Sequence, residues 1–334
     1  MKKIPRIILI VFLLAAIFYL VGPEPETPQL RSDLPTVPSD PASLEQMVNE
    51  RESSLNVRPD NQGRIIWHND SLKGMTEWAL LYLHGFSASW YEGYPVNLEF
   101  VRQFGCNAYL PRLAAHGLVT DDALVDMTPD ALWESAKEAL MVARGLGRKV
   151  LVMGTSTGGT LALKLAAEYP QLVDGLVLYS PNVKINNGAA FLLSKPWGIH
   201  IARMVYKSEY RVTNEDFSSK ECQYWYCKYR LEAVVYLQQL VEKTMKKEVF
   251  EKVTCPVFLG YYYKDEENQD QVVRVDAALA MFDQLGTPEE NKVKTAFPEA
   301  ATHVITCELL SGAVEEVKDA TFAFAEGKLK MTPN

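Results

Sequence analysis

The stretch Val150-Leu-Val-Met-Gly154-Thr155-Ser156-Thr157-Gly158-Gly159-Thr160 runs directly into Leu161-Ala-Leu-Lys-Leu-Ala-Ala167. An apolar strand, then Gly-x-Ser-x-Gly, then a helix-prone segment is the sequence form of a sharp strand-to-helix turn that presents a serine. Glycines flank the serine because such a turn brings neighbouring backbone so close that a Cβ collides. A bare Gly-x-Ser-x-Gly also fits an ordinary Gly/Ser turn; the strand before it and the helix after it separate the two readings. Ser156 is therefore the candidate nucleophile, and a serine hydroxyl, weak at neutral pH, needs an adjacent base to take its proton.

Working outward, Trp78-Ala-Leu-Leu-Tyr-Leu83 is a short apolar run that ends in His84-Gly85-Phe86-Ser87, as a buried parallel strand feeding a loop does. Such a loop is placed to offer a backbone N–H to a developing oxyanion. Further strand-like blocks follow at Leu176–Ser180, Val257–Tyr263 and before Phe297-Pro298, with acids after the second of these and His303 after the third. Arg64–His68 and Asn107–Leu110 read as earlier strands. Thr128-Pro129 starts a helix over Asp130–Gly145, and Tyr169-Pro170 stops the one that follows Ser156. Strands alternating with helices predict an α/β fold, a mostly parallel sheet flanked by helices on both faces.

Five histidines compete for the role of base. His68 falls in an early strand, His200 in a long insertion, and His84 and His116 in loops where a local hydrogen-bonding role is the simpler reading. His303, in a late loop after a strand, is the candidate base. For the acid, the loop Lys264-Asp265-Glu266-Glu267-Asn268-Gln269-Asp270 offers two residues.

Together these motifs resemble the α/β-hydrolases, in the branch of lid-bearing carboxylesterases and monoacylglycerol lipases. The residues that carry the resemblance are His84-Gly85-Phe86, His116-Gly117, Gly154-Thr-Ser156-Thr-Gly158-Gly159, Asp270-Gln-Val272-Val273 and His303, within about residues 62–325. The resemblance implies an α/β-hydrolase core over residues 62–180 and 251–334, with a helical lid insertion over 181–250. It also implies a triad of Ser156, Asp270 and His303, in the chain order serine, acid, histidine. Asp270 matches the family's Asp-x-Val-Val form, while the alternative acid Asp265 is nearer the strand end and follows a lysine. The backbone N–H groups of Phe86 and Thr157 would form the oxyanion hole. The expected chemistry is hydrolysis of carboxylic esters, lipid-like or monoacylglycerol-like substrates included, through an acyl-enzyme. Acyl transfer or peptide cleavage on the same triad, or a noncatalytic binding protein, are the alternatives, because a fold does not by itself fix a reaction.

The chain has 334 residues and a net charge of -8, which disfavours nucleic acid, a partner bound through Lys and Arg on phosphates. No phosphate-binding loop, dinucleotide fingerprint or His-Glu-x-x-His is present, so no cofactor or metal is expected. Met1-Lys2-Lys3-Ile4-Pro5-Arg6 precedes 15 apolar residues from Ile7 to Val21. Residues 1–22 thus read as a signal-anchor or signal segment, with an uncleaved transmembrane helix favoured because the flank lacks small residues for cleavage. Lys2, Lys3 and Arg6 would stay cytoplasmic and place the catalytic domain outside, membrane-anchored; cleavage would instead give a secreted or periplasmic protein.

Residues 23–61 read as a Pro-rich linker and lead-in, six of the 18 prolines falling between 22 and 45. They suggest an extended spacer without a core. Of five cysteines, Cys222 and Cys227 are closest in sequence, and the odd count leaves at least one unpaired. From Lys184 to Arg230 the insertion carries eight Lys/Arg against four Asp/Glu, a solvated face or a surface for anionic lipid.

Overall fold

The computed structural model describes residues 6–334. The apolar runs become strands β1 (Arg64–Ile66), β2 (Thr76–Leu83), β3 (Asn107–Leu110), β4 (Gly147–Thr155), β5 (Gly175–Tyr179), β6 (Tyr210–Val212), β7 (Lys228–Arg230), β8 (Val257–Tyr261) and β9 (Lys292–Ala296). Seven of them form one sheet in the order β1-β3-β2-β4-β5-β8-β9, and β6 and β7 form a separate antiparallel pair. Within the large sheet only β1 runs antiparallel to its neighbour.

Side chains alternate across a strand, so a sheet covered on both faces needs two cores. Ala79, Leu81 and Leu83 of β2, Val150 and Val152 of β4 and Leu176 and Leu178 of β5 join one core. Their neighbours Leu80 and Tyr82, Leu151 and Met153, and Val177 and Tyr179 join the other. The first face is covered by helices Pro129–Leu146, Thr157–Glu168 and Val275–Asp283. The second is covered by Val96–Phe104 and Val314–Gly327. Helix Pro129–Leu146 begins as its sequence predicts: Thr128 caps it by accepting the Ala131 N–H at 3.1 Å, with Pro129 in the first turn.

Between β5 and β8 the chain inserts helices Gly198–Tyr206, Lys220–Tyr224, Glu232–Thr244 and Lys247–Phe250. Helices near 197–206 and 231–246 are legible in the sequence. The β6–β7 pair is not, because three-residue strands carry no periodicity to read. Cys222 and Cys227 form a disulfide close to this pair, while Cys106, Cys255 and Cys307 are free.

The N-terminal expectation needs correction. Residues 1–5, including Lys2 and Lys3, lie outside the described residues. The apolar run forms a helix from Arg6 to Leu20 of 15 residues, about 22 Å at ~1.5 Å per residue, short of the ~30 Å of a bilayer's hydrocarbon core. Among the described residues no helix is long and apolar enough to cross a membrane. The transmembrane signal-anchor is therefore not borne out, and the extracytoplasmic placement that rested on it goes with it.

Residues 23–40 have no helix or strand, yet they are not a free spacer. Leu30, Leu34 and Val37 pack against the first core. Their backbone is tied down at several points: the Leu30 N–H donates to Asp130 at 2.6 Å, Trp133 Nε1 donates to the Arg31 carbonyl at 2.7 Å, and Tyr169 donates to the Ser32 carbonyl at 2.7 Å. The wholly buried Lys137 ammonium donates to the carbonyls of Arg31 and Asp33. Proline-rich chain suits this because it pays little entropy to lie extended, leaving its carbonyls for helix side chains.

Removing residues 1–40 should lower stability by about 3 kcal/mol or more, since it uncovers apolar surface and takes the Arg31 and Asp33 carbonyls from the buried Lys137, leaving it Glu134 alone. A chain beginning at Pro23 should melt close to the full-length protein, and thermal melts of the two truncations check the difference.

Candidate active site

Strand β4 lies near the middle of the sheet and ends at Thr155, and helix Thr157–Glu168 starts two residues on. Ser156 alone makes the turn, with φ of 53° and ψ of -115°, a conformation that non-glycine residues rarely adopt and that only surrounding structure can enforce. The enforcement is visible in the backbone. The Ser156 N–H donates to the Tyr179 carbonyl at 2.9 Å, and its carbonyl accepts the Asn182 N–H at 3.0 Å and the Thr160 N–H at 3.1 Å. A Cβ on Gly158 would lie 1.9 Å from the Leu83 carbonyl oxygen, and one on Gly154 would lie 2.6 Å from the Gly158 carbonyl carbon. Both glycines are thus required by close approach of β2, β4 and the helix.

Ser156 and His303 line one cavity of about 580 Å³, together with Phe86 and Glu92 from the core and Asn182 from the start of the insertion. Its other wall comes from the insertion and is mainly apolar, including Leu193, Ile201, Val205, Val234 and Leu237. The site stands at the carboxyl ends of the parallel strands, the usual position for ligands in open α/β sheets.

His303 Nδ1 lies 2.6 Å from Asp270 Oδ2. Asp270 Oδ1 accepts the N–H groups of Val272 and Val273 at 2.8 and 3.0 Å, so both oxygens of this buried carboxylate are engaged. Burial pushes the Asp270 pKa up, but His303 and the two amides outweigh it and leave the carboxyl below its ordinary range. Burial likewise pushes His303 down, and Asp270 overcomes this and raises it. His303 Nε2 is buried without a hydrogen-bond partner. No hydrogen bond joins it to the Ser156 hydroxyl; such contacts are often long in the unliganded state and tighten around substrate.

Asp265 stands apart from this pair. It is exposed, and its Oδ1 accepts the N–H groups of Glu267 and Asn268 at 3.0 and 2.8 Å, closing a local turn. The structure therefore brings Asp270, and not Asp265, to His303. Thr157 follows the serine in the chain, and Phe86 lines the same cavity. The Phe86 N–H is not taken up by another group among the described residues, and Thr157, as the first residue of its helix, has no helical acceptor behind it.

The remaining histidines hold backbone. His84 Nδ1 lies 3.0 Å from the Gly85 carbonyl, and its Nε2 accepts the Leu113 N–H at 3.1 Å. His116 Nδ1 lies 2.8 Å from the Ala114 carbonyl, and its Nε2 accepts the Ser87 N–H at 3.1 Å. Burial pushes the His84 pKa down to about 4 and that of His116 well below its ordinary value, so both are neutral spacers for the loops. Among the cavity residues that escaped the sequence reading are Glu92 and Asn182. A lone Glu in Trp90-Tyr-Glu92-Gly and a lone Asn after Ser180-Pro181 carry no spacing that would mark them.

Residues 80–310 match the alpha/beta hydrolase family. No curated protein sequence matches the chain. Among solved structures, one described with the metagenome-derived lipolytic enzymes LipS and LipT has a TM-score of 0.64 at 18% identity, covering 80% of this chain and 98% of its own. The monoacylglycerol lipase of Paleococcus ferrophilus has a TM-score of 0.51 at 15% identity, covering 78% and 95%. Est1E of Butyrivibrio proteoclasticus, with ferulic acid bound, has 0.52 at 16%, covering 80% and 95%. At these identities the likeness establishes the fold, a mostly parallel α/β-hydrolase sheet flanked by helices.

The turn makes a testable demand. Gly158→Ala should destabilise the protein by about 3 kcal/mol or more, because the added methyl meets backbone that cannot yield, whereas Thr157→Ala should cost less than ~1 kcal/mol. Denaturant titration of both variants measures the contrast.

Proposed function

The chain belongs to the alpha/beta hydrolase family, and from that premise we propose that it is a serine hydrolase of carboxylic esters working through an acyl-enzyme. The observation that carries this reading is the 2.6 Å contact between Asp270 and His303, whose other nitrogen is left unpartnered in the cavity that Ser156 lines. Ser156 Oγ attacks the ester carbonyl carbon as His303 Nε2 takes its proton. Asp270 keeps the Nδ1–H tautomer, so that Nε2 is the free base, and stabilises the imidazolium that forms. The N–H groups of Phe86 and Thr157 receive the oxyanion. His303 then returns the proton to the departing alcohol, and a water activated in the same way releases the acid from Ser156.

An apolar wall beside the serine favours acyl chains or aromatic acids over polar acyl groups. The similarity to a monoacylglycerol lipase and to an esterase seen with ferulic acid supports lipid-like or aromatic esters as the first substrates to try. The insertion over residues 181–250, which supplies that wall, serves as the lid. Hydrolysis of p-nitrophenyl esters of graded chain length, set against glycerol monoesters, tests the reading; absence of turnover on all of them would refute it.

Ser156→Ala should reduce ester turnover by several orders of magnitude, with no further loss on adding His303→Ala, because the residues act as one unit. Asp270→Asn should cost on the order of 10⁴ in turnover, the figure for the best-studied triad, while Asp265→Asn should cost little.

The pH profile follows from the same pair. Since Asp270 raises His303 above its ordinary 6.5, the base is lost to protonation earlier as pH falls. Accordingly kcat/KM should drop through an apparent pKa above 6.5 that belongs to the pair. In Asp270→Asn this acid limb should move to lower pH, and rate profiles between pH 5 and 9 measure the shift.

A further inference from the structure

Glu92 is a buried acid that the proposed mechanism leaves unused, and it stands beside the serine. It sits in the short turn Trp90–Gly93, lines the same cavity as Ser156 and His303, and is 2% exposed. Its Oε2 accepts the Gly85 N–H at 2.5 Å and the Tyr82 hydroxyl at 3.3 Å. A Cβ on Gly85 would lie 2.7 Å from Glu92 Oε1 and 3.1 Å from Ser156 Cβ. Gly85 is thus the thin wall between the carboxyl group and the nucleophile.

Gly85 is clamped at both of its polar groups. Glu92 holds its N–H, and His84 holds its carbonyl. That carbonyl belongs to the peptide whose other end is the Phe86 N–H, and in a trans peptide the two point in opposite directions. Holding Gly85 therefore aims the Phe86 N–H. We propose that Glu92 is a positioning residue for the oxyanion loop, acting through the Gly85 amide to hold the Phe86 N–H on the carbonyl that Ser156 attacks. This rests on the ester-hydrolase reading above.

The protonation state of Glu92 matters to that task. Facing it are Tyr82 from β2, Ser156 from the turn after β4, and His303 and Cys307 from the loop after β9. Among the described residues no Lys or Arg pairs with it, and His303 is already engaged by Asp270. Burial pushes the Glu92 carboxyl up to about 8, against the opposing pull of the Gly85 N–H and His303. With Oε2 accepting two hydrogen bonds, Oε1 is the oxygen left open to carry the proton. A neutral acid leaves the oxyanion undisturbed, whereas the carboxylate formed at alkaline pH puts a negative charge beside it and opposes catalysis.

Two variants separate these effects. Glu92→Gln keeps a carbonyl acceptor for Gly85 but cannot ionise, and Glu92→Ala leaves the amide without its acceptor. The probe is a serine-reactive phosphonate, whose labelling rate needs no choice of substrate, read beside turnover of a p-nitrophenyl ester.

Glu92→Ala should slow labelling and lower kcat by about 10- to 100-fold, as small misplacements do, and Glu92→Gln should recover most of that loss. The wild type should show an alkaline decline near pH 8 that Glu92→Gln lacks. Stability gives an independent reading. An acid whose pKa is raised by folding costs stability as pH climbs from its unfolded value, near 4.5, to about 8. The Tm of Glu92→Gln should therefore rise relative to wild type across that interval and level off above it.

The same alkaline decline in Glu92→Gln, equal labelling by Glu92→Ala and wild type, or a Tm difference flat with pH would each overturn the proposal. A wild-type protein that takes the phosphonate but turns over no ester refutes the ester reading alone. One that takes neither refutes both.

Discussion

Everything at the site depends on forcing one residue, Ser156, into a left-handed backbone conformation at the end of a buried strand. Such a residue costs of order 1–3 kcal/mol and persists only where its surroundings over-determine it. Here the surroundings are β2, β5 and the helix behind the serine. Leu83 presses its carbonyl against Gly158, and Tyr179 and Asn182 bracket the serine's own peptide groups. The order of strands in the sheet follows from the same demand, because β2 and β5 must flank β4 for their ends to deliver the Phe86 loop and the start of the insertion to opposite sides of the serine.

Around that turn, burial sorts the ionisable groups by what pairs with them. His84 and His116 each meet two backbone groups and no carboxylate, and Arg112 opposes a second positive charge beside them, so they remain neutral supports. Asp270 meets an imidazole and two amides and keeps its charge. Glu92, with a single amide, a tyrosine and no cation, favours its proton. Three outcomes from one degree of burial show that the partner, more than the depth, sets the charge state. One buried carboxylate paired with His303, and a carboxyl that favours its proton across Gly85 from Ser156, are what this sorting leaves at the site.

The first 40 residues illustrate how composition misleads. Proline density predicts a free tether, and the apolar run after Arg6 predicts a membrane span. The first expectation fails on contacts that composition does not encode: three apolar side chains pack on the core, and a string of carbonyls meets Trp133 and Lys137 on one helix and Tyr169 at the end of the next, far along the chain. The second fails on length, since among the described residues the helix has 15 residues, which do not reach across a hydrocarbon core.

The sequence by itself determined the strand-turn-helix at Ser156, the alternation that makes a mostly parallel sheet, and the start and stop of the flanking helices. These follow from local rules: glycine where a Cβ collides, proline where a helix begins or ends, and apolar runs where both faces are covered. It also narrowed the histidines to His303, because the others fall in segments with a structural use. Only the tertiary structure chose between Asp270 and Asp265 as partner of His303, since loop geometry over six residues turns on which carboxylate is captured by its own backbone, and Asp265 is. Only it brought Glu92 to the back of Gly85 and Asn182 to the cavity, and joined the 23–40 strap to the helices. Those placements depend on contacts between residues distant in the chain or in separate elements, where no periodicity or spacing carries the signal.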